Sequence, residues 1–206
     1  KEIEKILIKY YPKNIYYFAG QSSIVKSNKL KKDTYESNYL GAKKFLKIIY
    51  KKKLKINFFK ANTGYIFKNK NKKISLNCNL KKPNNPYVLS QIKAYNLVKY
   101  YRKIGIRCYS IIFFNIESFL RPKEYFIKKI CYAVKKEIKI SLGNINNVRD
   151  YSWAPEIMKA VIHLHKIKPC DIILGTGKGI SGKKIIKYLY GLKKLNYKNY
   201  ITIKKN

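Results

Sequence analysis

The feature that most constrains the fold is an alternation of short apolar segments with longer amphipathic ones. Four apolar segments have the composition of buried strands, at residues 14–19 (NIYYFA), 55–61 (KINFFKA), 107–115 (RCYSIIFFN) and 171–174 (DIIL). Apolar residues at helical spacing predict helices at about residues 2–10, 34–51, 86–103, 124–136, 155–165 and 181–192. A shorter strand is predicted near residues 138–142, and the lysine- and asparagine-rich residues 68–73 predict a solvated loop.

This alternation predicts an α/β fold, because apolar strands joined through helices form a mostly parallel sheet that is covered on both faces. Right-handed crossovers give such a sheet a doubly wound, Rossmann-like architecture. Ligands bind such sheets beyond the carboxyl ends of the strands. The polar residues 20–23, 62–65 and 115–121 each follow a predicted strand, and we expect them to converge on one site.

The charge of the chain is extreme, with 47 basic and 10 acidic residues and a net charge of +37. A nucleic-acid-binding protein is one interpretation of such a balance. The basic residues are spread along the whole chain, however, and four of them are arginines, so solvated lysine faces are the other interpretation. The hydrophobic content of 46% is too high for a disordered chain. No apolar run approaches the roughly 18 residues of a membrane span.

The cysteines and histidines do not form a metal-binding pattern. The four cysteines lie far apart without a C-x-x-C pair, which predicts reduced and mostly buried thiols in a cytoplasmic protein. His163 and His165 are the two histidines, and their place near a predicted helix end favours a contact with the helix dipole.

A polar triplet at the start of the third helix carries the strongest chemical signal. Tyr87 follows the turn formed by Asn84, Asn85 and Pro86, and Gln91 lies one helical turn later. Thr63 ends the strand upstream. This arrangement has a hydroxyl at a strand end, a tyrosine at a helix start and a polar partner one helical turn after the tyrosine. It is the layout of nicotinamide-dependent sugar chemistry.

Several motifs then resemble one family in the same order along nearly the whole chain, from about Ile3 to Tyr188. Residues 17–22 (YFAGQS), 61–67 (ANTGYIF) and 86–91 (PYVLSQ) resemble the cofactor-lining turn, the Ala-Ser-Thr-Ser-Glu segment and the Pro-Tyr-x-x-x-Lys motif of extended short-chain dehydrogenases. Further motifs are similar to those of GDP-mannose 4,6-dehydratases in particular, at residues 115–118 (NIES) with Arg121, 142–144 (LGN), 149–151 (RDY) and 175–177 (GTG).

The resemblance implies an NADP-dependent dehydration of GDP-mannose to GDP-4-keto-6-deoxymannose. The catalytic positions that it implies are Thr63, Tyr87, Tyr65 at the place of the family's Glu and Gln91 at the place of its Lys. The cofactor-binding positions are Phe18, Ala19, Gly20, Gln21, Ser22, Tyr87, Gln91 and Arg121. The substrate-binding positions are Asn115, Glu117, Ser118 and Arg149, and no metal is implied.

Three of these positions depart from the family pattern, because Gln91, Tyr65 and Ile116 replace its Lys, Glu and cofactor-side His. In the family, the lysine lowers the pKa of the catalytic tyrosine, and the neutral amide of Gln91 cannot do so. Lys93 lies about 200° around the helix from Gln91, on the opposite face. We therefore expect a catalytically impaired copy, although Glu117 remains an alternative base.

The organisation and the partners follow from the same comparison. The Gly-rich pyrophosphate loop is absent and the chain begins with Lys1, so we expect a fragment of a longer protein. We expect one Rossmann-like domain over residues 1–206, with the later Rossmann half at about 1–118 and substrate-binding elements at about 119–206. The alternative function is a non-catalytic nucleotide-sugar-binding or partner subunit, as a homo-oligomer or with a separate N-terminal half.

Overall fold

The computed structural model describes residues 2–69 and 73–204, so residues 70–72 of the predicted loop lie outside the described residues. Its helices are α1 Glu2–Tyr10, α2 Ile24–Lys29, α3 Lys31–Tyr35, α4 Gly41–Lys51, α5 Pro86–Lys103, α6 Phe126–Lys136, α7 Ala154–His163 and α8 Gly182–Gly191. Its strands are β1 Asn14–Tyr17, β2 Asn57–Thr63, β3 Cys108–Phe113, β4 Asn115–Glu117, β5 Ile140–Leu142, β6 Val148–Trp153, β7 Asp171–Leu174, β8 Gly179–Ser181 and β9 Ile201–Ile203.

The chain divides into two compact units. The first contains the residues up to Phe113 together with Ile162–Leu174, and the second contains Phe114–Val161 and the residues from Gly175 onward. The first unit holds a four-stranded sheet in the order β1-β2-β3-β7, and all of its strand pairs are parallel. This sheet confirms the predicted α/β, Rossmann-like fold.

The apolar segments form this sheet with shifted boundaries. Strand β1 ends at Tyr17 rather than at residue 19, and β2 runs on to Thr63 rather than ending at residue 61. The segment predicted as one strand at 107–115 is divided, because β3 pairs with β2 and β7 whereas β4 pairs with β6. Strand β3 is buried along its whole length, which explains why its composition is almost continuously apolar.

The predicted helix at 34–51 is interrupted by a π-helical segment at Glu36–Leu40. The N–H of Gly41 donates to the Glu36 carbonyl, five residues back, which inserts one extra residue into the turn. The side chain of Tyr17 lies close to this π-helical segment. Its hydroxyl donates to the Ser37 carbonyl at 2.7 Å, and a Cβ on Gly41 would lie 1.9 Å from that hydroxyl oxygen.

The second unit holds two small sheets and one apolar core. One sheet has the order β4-β6-β8, and the other pairs β5 with β9. Helices α6 and α8 contribute Ile130, Ile186 and Tyr190 to the core. Strands β6, β8 and β9 were not predicted, because they are short or polar and have no long apolar run. The prediction that Ser181 caps α8 is confirmed, since its hydroxyl accepts from the Lys184 N–H at 3.2 Å.

The cysteines only partly follow the prediction of buried thiols. Cys108 is buried, Cys78 and Cys170 are half-buried, and Cys131 is exposed on α6. His165 makes a 2.7 Å hydrogen bond between its Nδ1 and the Ile162 carbonyl near the end of α7. No helix in the described part of the chain combines the length and the apolar character that crossing a membrane requires.

Candidate nucleotide-sugar site

Two of the three predicted polar segments lie at one edge of the four-stranded sheet. Residues 20–23 follow β1 and residues 62–65 include the end of β2, and these strands are parallel neighbours. Their carboxyl ends therefore point the same way. The third segment, residues 115–121, belongs to the second unit, so the convergence of all three remains a prediction.

The end of β2 is connected to α5 by Asn62, which lies in the predicted polar segment 62–65 but was given no role of its own. Asn62 is buried, its Oδ1 accepts from the Thr63 N–H at 2.9 Å, and its Nδ2 donates to the Gln91 carbonyl at 3.3 Å. Thr63 is buried as well, and its Oγ1 accepts from the Tyr65 N–H at 3.3 Å. These bonds fix the position of Thr63 relative to the first turns of α5.

The first turns of α5 carry the predicted tyrosine and its partner. Asn85 caps the helix, since its Oδ1 accepts from the Val88 N–H at 2.9 Å. Tyr87 is buried in an apolar cluster that includes Val88, and Tyr65 packs against the same cluster. Thr63, Tyr65, Tyr87 and Gln91 thus all lie at the end of β2 and the start of α5, within the first unit.

Gln91 has a buried acceptor without a donor. Its side chain is buried, and Oε1 has no hydrogen-bond partner in the described part of the chain. Such an atom costs free energy unless a ligand or water supplies a donor. Gln91 can accept a hydrogen bond from a ligand hydroxyl, but it supplies no positive charge. Lys93 does not replace it, because Lys93 is exposed and its Nζ bonds the Tyr35 hydroxyl at 2.9 Å.

The turn after β1 is held by a buried polar network. Asn38 is buried in the π-helical segment, and its Nδ2 donates to the Gln21 carbonyl and to the Ser90 Oγ, both at 3.1 Å. Gly20 permits this contact, because a Cβ there would lie 2.1 Å from the Asn38 Oδ1. Of the other predicted cofactor positions, Ala19 and Ser22 are exposed and Phe18 lies edge-on to Phe113.

A buried amine lies in the middle of β2. Lys60 is 1% exposed, its Nζ donates to the Ala61 carbonyl, and the Tyr17 ring lies 5.6 Å from that nitrogen. Burial lowers the pKa of the Lys60 amine to about 7. Strand alternation was the signal for this residue, because Lys60 shares a face with the buried Phe58 and Asn62.

Three predicted substrate positions share the small sheet of the second unit. Asn115 and Glu117 lie on β4 and pair with Tyr151 and Trp153 of β6. Arg149 lies on β6 itself and pairs with Ile180 of β8. The sheet therefore places two polar side chains and one arginine on neighbouring strands.

Arg121 follows β4 and lies close to Glu117. Its Nε is 3.8 Å from the Glu117 Oε2, and its guanidinium carbon is 3.7 Å from the centre of the Tyr125 ring. Burial raises the pKa of the Glu117 carboxyl, and the positive charge of Arg121 opposes that rise. Ser118 Oγ accepts from the Leu120 N–H at 3.2 Å, which shapes the turn between them. Glu117 as a substitute base remains a prediction.

Comparisons with known proteins agree on one family. The family model described as GDP-mannose 4,6 dehydratase matches residues 1–200. The chain is 28% identical over 187 residues to GDP-mannose 4,6 dehydratase 2 of Caenorhabditis elegans, which covers 86% of this chain and 49% of that protein. It is 26% identical over 194 residues to a GDP-mannose 4,6-dehydratase of Sinorhizobium fredii strain HH103, and the match covers 87% of this chain and 54% of that protein. The chain therefore spans about half the length of these relatives.

Solved structures show the same fold. A dTDP-glucose 4,6-dehydratase of Bacillus anthracis in complex with NAD superposes with a TM-score of 0.86 at 18% identity, covering 100% of this chain and 64% of that one. The RMD protein of Pseudomonas aeruginosa complexed with NADPH gives a TM-score of 0.81 at 17% identity, covering 94% and 69%. At these identities the likeness establishes the fold.

Proposed function

The chain belongs to the GDP-mannose 4,6-dehydratase family, and from that premise we propose that it binds GDP-mannose and a nicotinamide cofactor, NADP, while its dehydratase activity is impaired. The observation that carries the proposal is Gln91, a buried neutral amide with an unpartnered acceptor at the position of the family's lysine. Binding needs the acceptor, whereas catalysis needs a charge that the amide does not have.

The residues at the end of the sheet fit the cofactor as binding groups. Gln91 Oε1 accepts from a ribose hydroxyl, and such a bond satisfies the buried acceptor. The network of Asn38 and Gln21 holds the turn at residues 18–22 in one conformation, so that its backbone is preorganised for a ligand. A bound nicotinamide would supply hydride transfer to and from the sugar. In the second unit, Arg149 and Arg121 are the proposed contacts to phosphate, which arginine binds with two parallel hydrogen bonds.

The impairment follows from the acid–base groups. A tyrosine ordinarily has a pKa near 10, so Tyr87 needs a shift of several units, at about 1.4 kcal/mol each, to take a proton at neutral pH. A neighbouring ammonium supplies such a shift and an amide does not. Tyr65 stands where the family has a carboxylate, and a phenol packed against an apolar cluster is a poor base.

A non-catalytic partner subunit is the second candidate. The buried side chains of Asn38 and Asn62 each donate to α5, at the Ser90 hydroxyl and the Gln91 carbonyl, although the acid–base groups differ from the family pattern. This combination supports a role in binding. Size-exclusion chromatography with a complete dehydratase tests this candidate: co-elution supports it, and separate elution removes it.

Isothermal titration calorimetry with GDP-mannose, with and without NADP, tests the binding proposal. We expect one saturable site, and we expect Gln91→Leu to weaken NADP binding about tenfold, because the acceptor is lost. Lys93→Met, on the exposed face of the same helix, is the matched control and leaves binding unchanged. Absence of heat with both ligands overturns the proposal. Tight, steeply salt-dependent binding of RNA or DNA in the same buffer would instead favour a nucleic-acid-binding protein.

A further inference from the structure

The side chain of Asp150 in the second unit accepts three hydrogen bonds from a single turn. Its Oδ1 accepts from the Thr176 N–H at 3.1 Å and from the Thr176 Oγ1 at 2.7 Å. Its Oδ2 accepts from the Gly177 N–H at 2.8 Å. The turn at residues 175–177 leads directly into β8, and Asp150 lies on β6, which pairs with β8.

This geometry is that of an anion-binding turn. Two successive backbone N–H groups and one hydroxyl converge on a single carboxylate, as they do on phosphate groups in other proteins. Gly177 has a φ of +72°, a conformation that L side chains rarely adopt. Gly175 lets the turn approach closely, because a Cβ there would lie 2.8 Å from the Phe114 ring and 3.0 Å from the Asp150 Oδ2. The protein's own carboxylate therefore occupies the anion position.

The same carboxylate fixes the sheet that carries Arg149. Asp150 pairs with Gly179, and Arg149 pairs with Ile180, so the turn and the two strand pairs form one continuous unit. If the turn moves, the start of β8 moves with it, and the support for Arg149 on β6 is lost. Strand pairing that involves only three residue pairs depends strongly on such an anchor.

We propose that Asp150 is a positioning residue, whose carboxylate fills the anion-binding turn at residues 175–177 from within and so holds β6 and β8 in the register that presents Arg149 to the diphosphate of the substrate. The part about the diphosphate rests on the proposed function. The Gly-Thr-Gly turn is then closed to external phosphate, and the phosphate contact belongs to the arginine.

Amide hydrogen exchange tests the anchor without any ligand. We expect exchange at Thr176 and Gly177 to be at least about tenfold faster in Asp150→Asn, because an amide offers one acceptor oxygen in place of two. Asp33→Asn, at an exposed position of α3, is the matched control and leaves these amides unchanged. Equal protection in Asp150→Asn and the unmodified chain would overturn the inference.

Chemical rescue distinguishes an anchoring anion from general packing. We expect sodium formate to restore the protection of Thr176 and Gly177 in Asp150→Ala, whereas sodium chloride at equal ionic strength does not. Formate without effect on a folded Asp150→Ala contradicts the anchor, and if that variant does not fold, the exchange result for Asp150→Asn decides.

Calorimetry then separates this inference from the proposed function. We expect the Kd of GDP-mannose to rise about tenfold in Asp150→Asn, measured at a temperature at which the variant remains folded. If exchange at Thr176 and Gly177 is faster in Asp150→Asn but the Kd is unchanged, the proposal that Asp150 positions Arg149 is overturned. If the unmodified chain binds no GDP-mannose, the proposed function fails, whereas the exchange and rescue results still decide whether Asp150 anchors the turn.

Discussion

The two halves of helix α5 differ in one respect, which is whether a functional polar side chain has a hydrogen-bond partner. In the second half, the Tyr95 hydroxyl and the Arg102 guanidinium both donate to Asp171 of β7, at 2.9 and 2.7 Å. In the first half, Gln91 keeps a buried acceptor without a donor in the described part of the chain. A paired group stabilises the fold, whereas an unpaired one carries a cost that a ligand can offset. The comparison identifies the first half as the functional end of the helix.

The pairing in the second half also affects the pKa of Tyr95. Burial raises the pKa of the Tyr95 phenol, and its hydrogen bond to the Asp171 carboxylate raises it further. The hydroxyl therefore keeps its proton and remains a donor throughout the neutral range. The Tyr95 phenol is therefore not an acid–base group at neutral pH, which agrees with a structural role.

The largest expected effect comes from restoring charge to the first half. We expect the double variant Gln91→Lys/Tyr65→Glu to raise the rate of GDP-mannose dehydration by about 10²–10⁴-fold, which is the range that a positioned acid or base contributes. The measurement is loss of water from GDP-mannose in the presence of NADP. Leu89→Lys is the control, because it adds an ammonium to an exposed position of the same helix. A double variant that binds both ligands without any gain in rate would refute this explanation of the impairment.

Removing the charge pair in the second half is expected to lower the stability of the fold. We expect Asp171→Ala to lower the free energy of unfolding by about 2 kcal/mol, because Arg102 and the Tyr95 hydroxyl lose a charged, partly buried acceptor. Urea denaturation measures this loss, with Asp33→Ala at an exposed site as control. A loss below about 0.5 kcal/mol would show that the pairing is not what distinguishes the two halves.

Lys60 sharpens the comparison, since its amine is buried and donates to the carbonyl of Ala61. Its amine has a pKa of about 7 in the folded chain and about 10.4 when unfolded. Between these values the unfolded state binds more protons, so the free energy of unfolding rises with pH, by roughly 5 kcal/mol across that window, and is flat below it.

We expect Lys60→Met to be more stable than the unmodified chain at pH 7 and to lose most of this slope. Urea unfolding at pH 7, 8 and 9 measures both effects, and Lys55→Met at an exposed position is the control. Equal slopes in the two chains would mean that Lys60 finds a partner or water in solution.

The smallest effect concerns the start of the helix. We expect Asn85→Ala to cost about 1 kcal/mol, because the Val88 N–H loses its capping oxygen. Asn28→Ala, at an exposed position in α2, controls for the change in composition. A melting temperature unchanged from that of the control would mean that packing of Tyr87 alone fixes the start of the helix.

How much of the fold is predictable depends on whether the signal is local. The bounds of α5 and β7 were predicted correctly, since Asn85 and Pro86 mark a helix start and DIIL is a continuous apolar run. The π-helical segment at Glu36–Leu40 was not predicted, and its hydrogen bond with the Tyr17 hydroxyl comes from a different element, which local sequence does not reveal. Strands β8 and β9 contain three residues each, so their pairing, not their sequence, creates them.

The residues of the candidate site also divide into those that a local sequence signal indicates and those that only a tertiary contact reveals. Thr63, Tyr87 and Gln91 were located by motifs with fixed spacing within one β-α unit. Lys60 was overlooked although strand alternation indicates its burial. The anchor at Asp150 could not be predicted from spacing, because its partners Thr176 and Gly177 lie 26 and 27 residues further along the chain. Such a contact exists only once the tertiary structure has formed.

The most direct test of the account is the turnover of GDP-mannose by the unmodified chain with NADP, measured beside Tyr87→Phe. If the chain keeps ligand binding but lacks the acid–base groups, both proteins bind GDP-mannose, and neither releases the 4-keto-6-deoxy product above background. Turnover by the unmodified chain that disappears in Tyr87→Phe would contradict the account.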